Sequence, residues 1–159
     1  VAVRLDAERH SSIADQLPPD TVEFLQGCGL PDSLTLMGFE HVFALDMEPV
    51  LDGTAFRVGT VNWRWCLKTI AIQRTTGHVG YVCDFQGVPP WDPCNSSIAN
   101  FVQCCAACDD LWELQRNDRI AYECRADWLW DRIRDIDQDV LNRDSIWAEL
   151  IAEIRWDVV

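Results

Sequence analysis

Polar and apolar positions alternate through the middle of the chain and give way to a helical repeat in its last third. Lys68-Thr69-Ile70-Ala71-Ile72-Gln73 and His78-Val79-Gly80-Tyr81-Val82-Cys83-Asp84 each alternate, the period of two that marks a half-buried strand. Arg74-Thr75-Thr76-Gly77 joins them, a short connection ending in glycine, and predicts a hairpin. Gly77 suits the left-handed backbone such a turn requires, where a side chain would clash. Further strands are predicted over 36–43 and 55–61, with Glu48-Pro49-Val50-Leu51-Asp52-Gly53 as a turn-bearing connection. Short links between consecutive strands favour antiparallel pairing.

Helical patterns flank this region. Pro18 and Gly27/Gly29 bracket a short helix over 18–26, and residues 1–16 read as a ragged N-terminal segment that includes a helix. After the loop Val88-Pro89-Pro90-Trp91-Asp92-Pro93-Cys94, the run Asn95-Ser96-Ser97 is a helix-start signal. Ile98, Phe101, Val102 and Cys105 then recur at i, i+3, i+4, i+7, one apolar helix face. Leu129, Ile133, Ile136 and Val140 form a second stripe. Trp147, Leu150, Ile151 and Ile154 form a third, behind a cap at Asp144 or Ser145. Helices this short are not stable alone in water, so each stripe must be buried. The expected fold is α+β: a mainly antiparallel sheet flanked by helices, with a helical C-terminal extension.

The order of these motifs, a hairpin with a Thr-Gly-X-Val turn and then Asn-Ser-Ser opening an amphipathic helix, resembles the SUKH superfamily. Within it the chain is most similar to the fourth group of SUKH immunity proteins of bacterial toxin–immunity systems. Leu17-Pro18-Pro19-Asp20-Thr21-Val22-Glu23-Phe24-Leu25 with Gly27, Gly29, Leu30 and Pro31 is similar to the family's opening helix and its exit. Ile136-Asp137-Gln138-Asp139-Val140-Leu141, Asp144-Ser145-Ile146-Trp147 and Leu150-Ile151-Glu153-Ile154 resemble that group's C-terminal helical extension. One segment departs: Asn62-Trp63-Arg64-Trp65-Cys66 stands where a more polar connection with Gly and Asp is expected. The expected organisation is an N-terminal segment over 1–16, a SUKH-like core over 17–108 and a helical extension over 109–159, packed on that core in preference to a hinged separate lobe, since 50 residues are few for an independent core. The resemblance implies a non-enzymatic immunity function exerted on a cognate protein toxin.

Composition narrows the partner. The chain has 159 residues, 48% hydrophobic and 25% charged, enough for one globular domain. It has no apolar run of membrane-spanning length and no secretory hydrophobic run near residue 1, so a cytoplasmic protein that does not bind membranes is expected. Net charge is −13 and evenly spread: residues 1–108 carry 12 acids against 6 bases, and residues 109–159 carry 14 against 7. Such a field repels nucleic acid and anionic lipid and speeds encounter with basic partners, or else simply maintains solubility. Many toxins of the family act on nucleic acids, so the resemblance implies a basic target domain.

No catalytic or cofactor constellation is complete, and neither metal nor cofactor is expected. Cys105-Ala106-Ala107-Cys108 has zinc-ligand spacing, but no second Cys pair or His pair accompanies it. The deaminase pattern stops at Pro93-Cys94, without the second thiolate. There is no nucleophile elbow and no phosphate loop. His41 reads as an edge or outward strand residue and His78 as exposed after the turn. Without an export signal the eight cysteines are expected to be reduced, with Cys83, Cys105 and Cys108 packed as small hydrophobes and Cys28 at a helix exit. Trp128, Trp130, Trp147 and Trp156 are expected to supply core area, whereas Trp63, Trp65 and Trp91 are either packed under loops or exposed anchors. Candidate partner contacts are Asp52, Trp63, Trp65, Asp84, Trp91, Asp92, Asp109 and Asp110, placed in loops and at element ends. A protein-binding adaptor is the alternative reading, and an enzyme with an unrecognised site a more distant one.

Overall fold

The computed structural model describes residues 2–6, 10–36, 39–63, 66–83, 90–141 and 145–156. It is an α+β structure with a mostly antiparallel sheet. Strands β3 (Ser33–Leu36), β4 (Phe39–Phe43), β6 (Ala55–Trp63), β7 (Cys66–Gln73), β8 (Val79–Val82) and β9 (Trp91–Asn95) follow one another in that order across the sheet. β5 (Pro49–Val50) pairs with β6 off this path. A separate two-stranded ribbon joins β1 (Ala2–Val3) to β2 (Leu30–Pro31). The helices are α1 (Ser11–Ala14), α2 (Pro19–Gly27), α3 (Ile98–Arg116), α4 (Arg125–Ile136) and α5 (Ile146–Arg155), with 3₁₀ turns at Tyr122–Cys124 and Gln138–Val140.

The predicted hairpin is present, with Ile70 opposite Tyr81 and Ile72 opposite Val79. Gly77 has φ +73, and a Cβ there would lie 2.7 Å from Thr21 Oγ1 on α2. The turn therefore needs glycine twice, for its backbone and for the helix packed against it. The centre of β7 differs from simple alternation, because Ala71 is as buried as Ile70 and Ile72. Its neighbour across the pair is Gly80, and the Trp91 ring lies over that glycine.

Several elements differ from the sequence reading. The strand expected over 36–43 is a hairpin, β3 turning into β4. The stretch expected to be a Pro-rich loop contains β9, which pairs with β8 from Val82↔Trp91 onward. Pro93 is tolerated there because β9 ends the described sheet, where a missing amide breaks no ladder. Residues 2–3 form a strand rather than helix, leaving α1 as a single turn. Position 108 falls inside α3, which runs on to Arg116.

One hydrophobic core joins the inner sheet face to the helices. Phe43, Ile70, Ile72, Val79 and Tyr81 from the strands meet Phe101, Cys105 and Leu111 of α3, Leu129 and Ile133 of α4, and Trp147, Leu150 and Ile154 of α5. The three predicted stripes thus point into the same interior. Of the tryptophans expected to be core, Trp147 is fully buried and Trp128 and Trp130 half-buried. Trp156 is not core: it follows the last turn of α5 and is 77% exposed.

Candidate partner-binding surface

The side of the sheet away from this core carries an uninterrupted row across six strands: Ser33, Val42, Thr60, Thr69, Val82 and Trp91. Side chains on successive strands share a face when directly paired, so these six stand side by side. None is charged. The adjoining row holds Thr35, Glu40 and, paired across β6 and β7, Asn62 with Leu67. On the other side lie Arg57, Ala71, Gly80 and Pro93. Val42 is 45% and Leu67 67% exposed, so both large apolar side chains remain open to solvent among the described residues. Arg57 is engaged by two carboxylates, Asp46 and Glu48, at the margin of this face. Its hydrogen bond to Asp46 holds that carboxyl below the usual carboxylate range.

The sequence-predicted contacts fall on separate elements. Asp52 is exposed in the turn after β5, with φ +54, beside Gly53, whose carbonyl accepts a 2.7 Å hydrogen bond from Arg74. Trp91 belongs to the row just described. Asp92, its neighbour on β9, turns the other way, opposite Tyr81, and lies 3.6 Å from Lys68 Nζ. Burial pushes the Asp92 carboxyl up, and Lys68 opposes this. Asp109 and Asp110 are exposed on α3. Partial burial raises the Asp109 carboxyl, as do the like charges of Asp110 and Glu113. Asp110 borders a groove of about 370 Å³ between α3 and α4, with Gln103, Ala106, Arg132 and Asp135. Trp63 ends β6; its side chain, Trp65 and Asp84 lie outside the described residues.

Two buried polar clusters went unread in the sequence. His41 is not at an edge or pointing outward: β4 lies inside the sheet and the imidazole is fully buried. Its Nδ1 lies 3.0 Å from the Phe39 carbonyl and its Nε2 3.1 Å from the Tyr81 hydroxyl. A carbonyl only accepts, so Nδ1 carries the proton and Nε2 accepts from the tyrosine. Burial holds the imidazole below its ordinary pKa and pushes the Tyr81 hydroxyl well up. The alternation Glu40-His41-Val42-Phe43 contained the signal, since it puts His41 on the same side as the apolar Phe43.

The second cluster binds the helix cap to the end of α4. Ser97 Oγ accepts from the Asn100 amide at 3.1 Å and is the cap of α3. Asn95 is instead buried. It donates to Asp137 at 3.1 Å and accepts from the Trp147 indole at 3.0 Å. Asp137 also accepts from the amide and hydroxyl of Ser96, at 2.8 and 2.9 Å. The surrounding thiols are packing groups: burial pushes Cys104 up to about 12 and raises Cys94, Cys105 and Cys108 as well. Among the described residues no group of three or more His, Cys, Asp or Glu side chains stands where it would hold a metal ion. No helix among them is long and apolar enough to cross a membrane.

The comparisons place this fold in a family. The SUKH-4 immunity protein family matches residues 3–153, nearly the whole chain, and the chain belongs to that family. Membership assigns it the role of an immunity protein and implies a cognate toxin as partner. No curated protein and no solved structure matched the chain.

Proposed function

We propose that this protein neutralises its cognate toxin by stoichiometric binding, occluding the toxin's active or substrate-binding site without catalysing a reaction. The observation that carries the reading is the family match across residues 3–153. The net charge of −13 supports a finer version, in which the toxin carries a basic domain that acts on nucleic acid. A basic cleft built for a polyanion attracts an acidic protein, which then occupies the cleft in the substrate's place. The same charge disfavours direct contact of this chain with nucleic acid or anionic membrane. The proposed site of action is the cytoplasm, where a nucleic-acid-directed toxin meets its substrate. Asp52, Asp84, Asp92, Asp109 and Asp110 serve attraction at long range in this reading, and Trp63, Trp65 and Trp91 are the proposed aromatic contacts.

Co-expression tests the proposal. The C-terminal domain of a large secreted protein encoded beside this chain is produced in a host with and without it. The expected results are arrested growth without this chain, normal growth with it, and a 1:1 complex from the purified proteins. Full toxicity at equimolar dose defeats the immunity reading, and recovery of several unrelated host proteins instead of a toxin favours an adaptor.

A further inference from the structure

Resting on the immunity reading above, we propose that the toxin docks on the outer sheet face, centred on Val42, Leu67 and Trp91, and presents a basic rim around an uncharged centre. Specific interfaces have cores depleted of charge, with aromatic residues at the centre and polar groups at the edge. This face shares the uncharged central row, and its aromatic residue, Trp91, stands on the edge strand β9. Its central row is uncharged from Ser33 to Trp91. Val42 on β4 and Leu67 on β7 stand two strands apart on neighbouring rows, and Trp91 closes the row on β9. Among the described residues charge appears in the two flanking rows: Glu40, in the row of Leu67, and Arg57 enclosed by Asp46 and Glu48, a sum of −2.

Area and charge together select the occupant. Six strands about 4.8 Å apart span about 24 Å, and three rows of side chains add about 20 Å along the strands, so the face offers on the order of 500 Å². A stable complex buries about 800 Å² on each partner. The uncharged row is only a fraction of that area, so the acidic margin and the surface beyond it must take part. That margin is net acidic, and two copies of this chain, each of net charge −13, repel one another. Against a basic protein the margin completes the contact. Nucleic acid and anionic lipid are repelled by the whole molecule, which leaves a basic protein as the occupant.

The test uses the full chain and a catalytically inactivated form of the toxin domain from the co-expression experiment. Val42→Lys with Leu67→Lys puts two positive charges into the centre of the face; Gln103→Lys with Ala106→Lys puts the same two charges on exposed positions of α3. The sheet pair is expected to weaken binding about 30-fold or more, mainly through faster dissociation, while the helix pair stays within about threefold of the parent. Equal losses in the two pairs, or unchanged binding by the sheet pair, overturn the docking surface while leaving immunity intact. A parent chain that neither binds nor protects overturns both. Oxidative footprinting of the unaltered chain gives an independent reading that needs no variant to fold. Leu67 and Trp91 become protected by toxin while Trp156 stays reactive; protection of Trp156 alone refutes the assignment. A dimer in sedimentation that the sheet pair dissociates also refutes it, because the face is then a contact between copies.

Discussion

Gly77 shows how much a single position can demand. An alanine there must hold φ +73 and place its Cβ 2.7 Å from Thr21 Oγ1 and 3.3 Å from Pro18 Cγ. The backbone alone costs about 1 kcal/mol, and contact with α2 adds to it. Gly77→Ala is expected to lower stability by about 1–3 kcal/mol in denaturant titration. Gly27→Ala is the contrast: no atom lies within 4 Å of its added Cβ, and the residue is helical, so the change is neutral or stabilising. His41 sets a pH dependence. The folded imidazole titrates below the unfolded value near 6.5, so the unfolded chain takes up the proton first. The stability is therefore complete above pH 6.5 and is lost as pH falls from there toward the lower folded value. Melts from pH 7.5 to 5 should show this fall, at most about 1.4 kcal/mol per pH unit, and His41→Gln should remove it. An unchanged slope in the variant would assign the effect to another group. The glycine was legible in the sequence from its turn; the histidine's side of the strand was signalled by Phe43, but its partner Tyr81 was not, being 40 residues away.

At the level of elements, the stripes on α3, α4 and α5 were readable because helical periodicity is local. The Ser145 cap was readable too: its hydroxyl accepts from the Ala148 amide at 3.1 Å. The break in the stripe from Leu129 to Val140 was not. Helix α4 stops at Asp137 (φ −152), whose carboxyl turns inward to donors on Asn95 and Ser96. Only the folded molecule brings those donors there. The same network makes α5 answer to β9, and the dependence is measurable. Trp147→Phe removes the indole donor and leaves Asn95 Oδ1 with the Cys94 thiol at 3.3 Å. A loss of about 1–3 kcal/mol is expected, with a coupling of about 0.5–3 kcal/mol to Asn95→Ala in a double-mutant cycle. Strict additivity would mean that β9 and α5 are stabilised independently. Strand β9 itself escaped the sequence reading because Pro89, Pro90 and Pro93 crowd it. Its edge position is what makes Pro93 acceptable.

Across the whole molecule, the charge and the docking face divide the work of binding between rate and lifetime. Replacing Asp109 and Asp110 by lysine moves the net charge from −13 to −9. Association with the toxin domain should slow severalfold at low salt, and the difference should vanish near 0.5 M salt, where charges farther apart than about 4 Å are screened. Dissociation should not change, in contrast to the lysines on the sheet face. Stopped-flow association rates across a salt series separate the two; a rate that ignores both charge and salt excludes steering.

The sequence by itself determined the local elements and the sign of the field. Alternation, helical stripes, turn glycines and caps depend on neighbours a few residues apart, and net charge depends only on composition. Tertiary structure decided which polar groups are buried and which apolar ones are bare. His41 and Asn95 were drawn inside because Tyr81, Asp137 and Trp147 supply their hydrogen bonds. Val42, Leu67 and Trp156 were left outside because the helices pack on the other face of the sheet or end before they can cover them. A side chain's environment is a property of pairings between distant segments, and one-dimensional patterns carry no term for those.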